Sequence, residues 1–220
     1  MPPASQDALA RIAPFAVYVT LLVAESLLPE RAFGRWLYLS QIALSAVLLA
    51  ALWPRFSELH RPGDASLRDW GLGALTGLVV FVLWINLDFG WAQFGDARGV
   101  GASVTGEGAD ALGLAARFVG AVAVVPLLEE LFWRSFLMRW LDKAAFLEVS
   151  PRYVSVRSLL ICSVVFALEH HLWLSGLVAG LAYGWLYRRL GLLWPVVLAH
   201  AVTNLLLEIW VQRTAAWHFL

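Results

Sequence analysis

A set of six polar residues in the second half of the chain lies inside long apolar stretches, where a charged side chain costs about 3 kcal/mol or more. They occur on three separate stretches and are, in chain order, Glu129, Glu130, Arg134, His170, His200 and Asn204. Carboxylate, imidazole and amide groups acting together can take a proton from water and stabilise the oxyanion that forms when the water attacks a carbonyl group. These residue types therefore predict hydrolytic chemistry.

Helical spacing separates the roles of the two glutamates. Glu130 and Arg134 are four residues apart, so they share a helix face, and we expect an ion pair that supports the site. Glu129 lies about 100° further round the helix without a local cationic partner, which suits a base that activates water. Pro126 removes one backbone N–H and should disturb the helix one turn back, leaving room for water or substrate.

The same spacing brings the other polar groups together. His200 and Asn204 are four residues apart, as are Phe166 and His170, so each pair shares a helix face. Glu129 with the two histidines could also hold a catalytic zinc ion and leave a position open for water. These histidines lie on different helices without a compact ligand motif. The pattern therefore favours direct activation of water by Glu129, with zinc held by Glu129, His170 and His200 as the alternative.

The composition indicates a membrane protein. Of 220 residues, 60% are hydrophobic and only 15% are charged, the mean hydropathy is +0.72, and the formal net charge is zero. A soluble domain is about half apolar and a quarter charged. The balance excludes a disordered chain and a basic surface for nucleic acid. The single cysteine, Cys162, excludes a disulfide framework.

Long continuous apolar blocks predict the fold class. They run over residues 12–28, 36–53, 70–89, 112–136, 159–174, 177–186 and 192–211. Since a helix needs about 20 residues to cross the hydrocarbon, we predict an all-α, polytopic transmembrane bundle of about seven spans. Its catalytic cavity should lie between the fourth, fifth and seventh spans, within a single integral-membrane domain over 1–220. The fifth and sixth blocks are short, and Gly176 between them could form a tight turn or part of a re-entrant pair.

Two further patterns bear on the arrangement of the spans. Counting Lys and Arg between seven spans puts ten, including Arg11, on the side of the N-terminus and five, including Arg117, on the other. The positive-inside rule then predicts a cytoplasmic N-terminus. Gly176, Gly180 and Gly184 recur on one helix face and predict close packing against a neighbouring helix.

The three motifs resemble the signature of the CPBP intramembrane proteases, the family of the type II CAAX prenyl endopeptidase. The matching residues are Glu129-Glu130-x-x-x-Arg134, Phe166-x-x-x-His170 and His200-x-x-x-Asn204, on separate apolar helices within a protease-like core over 112–211. The resemblance implies that Glu129 activates water, that His170 helps to hold it, and that His200 and Asn204 stabilise the oxyanion. A related subgroup accompanies exosortase-type sorting systems, and Glu169, directly before His170, departs from the small or apolar residue expected there.

We therefore predict an integral-membrane endopeptidase of the bacterial cytoplasmic membrane. Its partners would be the lipid bilayer and a membrane-associated protein or peptide substrate, with no nucleic acid. One alternative is a non-catalytic maturation or immunity factor with the same fold. Another is a transporter that uses Glu129, His170 and His200 as a proton relay. All three polar clusters lie after residue 128 without a counterpart in the first half, which disfavours the repeated halves of many transporters.

Overall fold

The secondary structure is entirely helical in the part of the chain that the computed structural model describes, residues 3–27, 35–95 and 111–219. Its long helices are α1 (Pro3–Leu27), α2 (Arg35–Leu52), α3 (Leu67–Asn86), α4 (Ala111–Trp140), α5 (Val156–Leu168), α6 (Trp173–Leu190) and α7 (Trp194–Thr214). Each corresponds to one of the seven apolar blocks, which confirms the predicted all-α bundle.

Five of these helices are long and apolar enough to cross a membrane: α1, α2, α3, α4 and α7. The predicted number of about seven spans also counted α5 and α6, which are not among the five. With 13 residues, α5 is about 20 Å long, whereas the hydrocarbon core is about 30 Å thick. The bundle thus combines five candidate spans with shorter apolar helices.

The turn between α5 and α6 lies at residues 169–172, not at Gly176 as one sequence prediction had it. The backbone N–H of His170 donates to the carbonyl of Ala167 across 3.1 Å, which ends α5 in a tight turn. Gly176 lies inside α6, where an added Cβ would be 3.2 Å from both the Cα of Ala167 and the Cβ of His170. This glycine permits close approach of the helices and does not form the turn.

The glycine-rich face of α6 packs against α5, as its spacing predicts. A Cβ at Gly180 would lie 3.0 Å from the Cα of Ser163, and one at Gly184 would collide with the side chain of Leu159. These contacts run in opposite directions along the two helices, so α5 and α6 form an antiparallel pair. His170 lies in the turn that joins the two helices of this pair.

A second glycine contact joins α3 to α7, and the sequence analysis missed it. A Cβ at Gly73 would collide with the carbonyl oxygen of Pro195, and one at Gly77 with that of Ala199. The two helices run parallel at this contact and can approach this closely only because both positions lack side chains. The contact holds α7 at the position from which His200 reaches the cavity.

Three cations counted as lying between spans, Arg11, Arg117 and Arg139, are in fact buried inside helices. Arg11 lies within α1, which begins nine residues before the predicted block, and it donates to both carboxylate oxygens of Glu58 across 2.9 and 2.6 Å. Arg117 lies within α4 and pairs with Glu208. Each pair neutralises a charge that the hydropathy pattern placed outside the bundle. The N-terminal side of the charge count thus loses Arg11 and Arg139 and the other side loses Arg117, so the direction of the asymmetry is unchanged.

Candidate active site

Helix α4 changes its winding on both sides of the two glutamates. Residues Gly120–Val124 and Leu131–Leu137 are π-helical, and the α-helical segment Val125–Glu130 lies between them. Pro126 is near the start of this segment. The sequence predicts that this proline disturbs the helix one turn before it, and the first π-helical stretch lies there. Such stretches widen a helix locally and occur often at functional sites. The second stretch has no signal in the sequence that we recognised.

A cavity of about 150 Å³ lies inside the bundle next to this part of α4. Its lining includes all four residues predicted to be catalytic, which are Glu129 from α4, His170 from the turn after α5, and His200 and Asn204 from α7. The remaining wall is largely aromatic and aliphatic and includes Tyr18, Tyr38, Trp84, Phe166, Tyr183 and Leu207. The cavity thus combines convergent polar groups with an apolar wall, as binding sites commonly do.

Glu129 is buried at the wall of the cavity. Its Oε2 atom has no hydrogen-bond partner in the protein and lies 4.0 Å from Nε2 of His200. This distance is too long for a direct hydrogen bond and suits a single water molecule that bonds to both atoms. A carboxylate oxygen that is unpaired and lies beside an imidazole nitrogen is free to accept a proton from such a water.

Glu130 forms the predicted pair with Arg134 and, in addition, holds His200. Its Oε1 atom is 3.1 Å from Nη1 of Arg134 and 2.9 Å from Nδ1 of His200. All three side chains are buried, and the guanidinium of Arg134 also lies 4.5 Å from the centre of the Phe166 ring. Because a carboxylate only accepts hydrogen bonds, Nδ1 of His200 carries a proton, which leaves Nε2 as the nitrogen nearest Glu129.

His170 lies two residues beyond the end of α5, whereas the sequence analysis put it within the helix. Its Nδ1 donates to the carbonyl of Phe166 across 2.8 Å. In a continuing helix that carbonyl would receive the backbone N–H of residue 170, so the side chain replaces the lost backbone bond. In the neutral ring, Nε2 is then an acceptor. The indole of Trp84 packs edge-on against the imidazole, with 5.5 Å between ring centres.

Asn204 lines the cavity one helical turn beyond His200. Its Nδ2 donates to the backbone carbonyl of Ala121 across 2.9 Å, in the first π-helical stretch of α4. One of its two amide hydrogens is therefore engaged with the backbone. The other remains for a group inside the cavity.

The sequence analysis missed one charged pair in the cavity wall. Nε and Nη2 of Arg117 contact the two carboxylate oxygens of Glu208 across 3.2 and 3.0 Å, and both side chains are buried. The sequence held a signal for the position of Arg117, though not for its partner. Arg117 continues the face of Glu129 at intervals of four residues, through Ala121 and Val125, all of which line the cavity. The pair joins α4 to α7, the helices that carry most of the predicted site.

The three residues predicted as alternative zinc ligands do not form a common metal site. Among the residues that the structure describes, no group of three or more His, Cys, Asp or Glu side chains lies close enough to hold a metal ion. Glu129, His170 and His200 line one cavity but are not grouped closely enough to act as ligands of such an ion. Both histidines instead have Nδ1 engaged with the protein, to Phe166 and to Glu130.

The fold and the cavity define a helical membrane protein with a buried site of glutamate, histidine and asparagine side chains. Residues 111–206 match the family described as Type II CAAX prenyl endopeptidase Rce1-like. The match confirms the CPBP resemblance that the three motifs predict, and this part of the chain is similar to that family. No curated protein and no solved structure gave a match. The matched segment contains α4 through most of α7 and includes all seven motif residues.

Proposed function

We propose that the protein is an intramembrane endopeptidase in which Glu129 activates a water molecule for attack on a peptide bond. The observation that carries the proposal is the buried, unpaired Oε2 of Glu129 beside Nε2 of His200, at the wall of a largely apolar cavity. The Rce1-like match supports a protease. The five candidate spans support hydrolysis within the membrane.

In the proposed reaction, Glu129 takes a proton from water while the water oxygen attacks the carbonyl carbon of the scissile bond. The carbonyl oxygen becomes an oxyanion, which would accept hydrogen bonds from the remaining Nδ2 hydrogen of Asn204 and from Nε2–H of His200 when that ring carries both protons. Glu129 then passes its proton to the leaving nitrogen, the C–N bond breaks, and an acid and an amine are released.

His170 and Glu130 would act on the same water and on the same imidazole. With Nδ1 donating to Phe166, the neutral His170 ring can accept a hydrogen bond at Nε2 from the attacking water. Glu130 fixes the orientation of His200 through Nδ1, and Arg134 balances the charge of Glu130. Neither Glu130 nor Arg134 needs to contact the substrate.

The proposed substrate is a membrane-associated protein or peptide whose cleaved segment enters the cavity. The proposed location is the bacterial cytoplasmic membrane with a cytoplasmic N-terminus, since most Lys and Arg residues outside the predicted apolar blocks belong to that side. Arg31 and Arg98, which belong to the smaller group, lie outside the described residues.

The experiment that tests the proposal compares the termini of membrane proteins in cells with wild-type protein and with Glu129→Gln. Removing the base should lower cleavage by at least about 10²-fold, a usual contribution of general-base catalysis, with little change in expression or thermal stability. Glu148→Gln, a change at an exposed glutamate that pairs with Lys143 outside the cavity, is the matched control and should cleave at the wild-type rate.

Cleavage by Glu129→Gln at the wild-type rate would exclude the proposed role of this residue. A cellular function that persists in Glu129→Gln, together with an absence of new termini in wild-type cells, would favour a non-catalytic maturation or immunity factor. Transport of a proton or solute that is lost in Glu129→Gln, without any cleavage, would favour the transporter.

A further inference from the structure

Just before the glutamates, α4 cannot make one of its own backbone hydrogen bonds. In the first π-helical stretch, the N–H of Val125 donates to the carbonyl of Gly120, five residues earlier. The next bond of this pattern would join the nitrogen of residue 126 to the carbonyl of Ala121. Residue 126 is proline and has no N–H, so the helix itself cannot supply that bond. A backbone carbonyl without a partner in such surroundings is costly.

Asn204 supplies the missing donor from another helix. Its Nδ2 lies 2.9 Å from the oxygen of Ala121. On another side, the π-helical stretch is confined by α2, because an added Cβ at Gly120 would be 2.6 Å from Cδ1 of Ile42 and 3.0 Å from the hydroxyl of Tyr38. The stretch is therefore held by packing against α2 and by a hydrogen bond from α7.

We propose that Asn204 is a positioning residue for Glu129, acting through the carbonyl of Ala121 that Pro126 leaves unpaired. Glu129 follows Pro126 by three residues, within the same short α-helical segment. A shift of the π-helical stretch would move that segment and change the distance between Glu129 and His200. The bond from Asn204 resists such a shift, and it comes from the helix that also carries His200.

This role rests on the proposed function where it concerns catalysis and goes beyond a donor to the oxyanion. A residue that only donates to the oxyanion would be insensitive to the residue at position 126. A residue that positions Glu129 through Ala121 would matter less once residue 126 has its own N–H. Pro126→Ala supplies that N–H at the end of the π-helical stretch, so the two roles predict different results.

The test is a double-mutant cycle on the purified full chain with Asn204→Ala, Pro126→Ala and the double variant. Both kcat for a membrane peptide substrate and the thermal unfolding midpoint are measured. The matched control is Asn204→Ala combined with Pro14→Ala, because Pro14 also lies inside a helix, α1. Replacing Pro14 supplies an N–H far from Ala121 along the chain.

We expect Asn204→Ala to lower kcat by about 10²-fold in the wild-type and Pro14→Ala backgrounds. In the Pro126→Ala background the loss should shrink by about tenfold, a usual coupling for residues in one hydrogen-bond network. The drop in the unfolding midpoint caused by Asn204→Ala should shrink in that background too. Equal losses of kcat and equal drops of the midpoint in all three backgrounds would overturn the proposal.

The two readouts keep this inference separate from the proposed function. If the wild-type protein cleaves no peptide, the proposed function fails, and the coupling of the unfolding midpoints still decides whether Asn204 acts through Ala121. If Asn204→Ala does not accumulate as folded protein, recovery of folded yield by Pro126→Ala supports the proposal. Asn204→Leu keeps the branched shape of the side chain without the donor and is tested in the same way. If Pro126→Ala restores the folded yield of neither variant, the proposal is overturned.

Discussion

At the scale of single residues, the carboxylate of Glu130 balances the buried charge of Arg134. Arg134→Ala leaves Glu130 with His200 as its remaining partner and removes the cation that lies 4.5 Å from the Phe166 ring. Breaking a buried ion pair costs about 3–5 kcal/mol, so we expect lower folded yield and a lower unfolding midpoint as well as lower activity. Size-exclusion chromatography and thermal unfolding in detergent measure both.

Arg68→Ala is the matched control for Arg134→Ala, since Arg68 is an exposed arginine in the first turn of α3. It should change the unfolding midpoint little. An Arg134→Ala protein that is fully stable yet inactive would contradict the structural role. Arg134 would then act on the substrate.

A second prediction at this scale concerns metal dependence, that is, whether Glu129, His170 and His200 act without a bound zinc ion. With Glu129 acting directly, purified active protein should contain no stoichiometric transition metal, and dialysis against a chelator should leave cleavage intact. Elemental analysis of active protein measures the first and an activity assay the second. One zinc ion per chain, lost together with activity in His170→Ala, would instead identify a metalloprotease.

At the scale of helices, the parallel contact of α3 with α7 sets the position of His200. In Gly77→Ala the new Cβ would collide with the carbonyl of Ala199 and lie 2.9 Å from the Cβ of Val202. The helices must separate, and overpacking of this kind costs about 1–3 kcal/mol. We expect a lower unfolding midpoint and, because His200 moves with α7, a lower kcat.

Gly71→Ala provides the control on the same helix, because an added Cβ there meets nothing within 4 Å. Alanine is the better helix former by about 1 kcal/mol, so this change should leave the unfolding midpoint unchanged or raise it. If Gly71→Ala and Gly77→Ala have the same effect on stability, the close contact with α7 does not explain the result.

At the scale of the whole molecule, Glu58 links the first half of the chain to the helix that carries the motifs. It lies between α2 and α3, accepts hydrogen bonds from Arg11 of α1, and accepts another from the hydroxyl of Ser135 of α4. Burial opposes ionisation of this carboxyl, but the bonds from Arg11 and Ser135 outweigh it, so the pKa of Glu58 is below its usual value of 4.5.

A lowered pKa in the folded state predicts a loss of stability in acid. The contribution of Glu58 is fully present at pH values above its unfolded pKa and is lost as the pH falls through the lower folded pKa. The unfolding midpoint of the wild-type protein, measured from pH 6 downwards, should therefore fall most below about pH 4.5. Glu58→Gln should lower the midpoint at neutral pH and flatten its acid dependence, whereas Glu148→Gln should leave the acid dependence unchanged.

The sequence alone determined the helices and the contacts along a single helix. Continuous apolar blocks marked each helix, because most residues facing lipid or the bundle interior are apolar and a helix makes most of its backbone hydrogen bonds within the segment. The pair of Glu130 with Arg134 followed from a separation of four residues, which the helix geometry alone brings together. The close packing of the glycine face of α6 also followed from a spacing of four residues along one helix.

Contacts between helices were decided only by the tertiary structure. No spacing along the chain relates Glu130 to His200, Arg117 to Glu208 or Asn204 to the carbonyl of Ala121. The sequence analysis also did not predict that α5 ends before His170. The apolar block continues through the turn, and the His170 side chain bonds to the carbonyl of Phe166 in place of a backbone N–H. Such contacts depend on the relative position and rotation of packed helices, which follow from the close packing of side chains across the whole bundle and not from any local repeat.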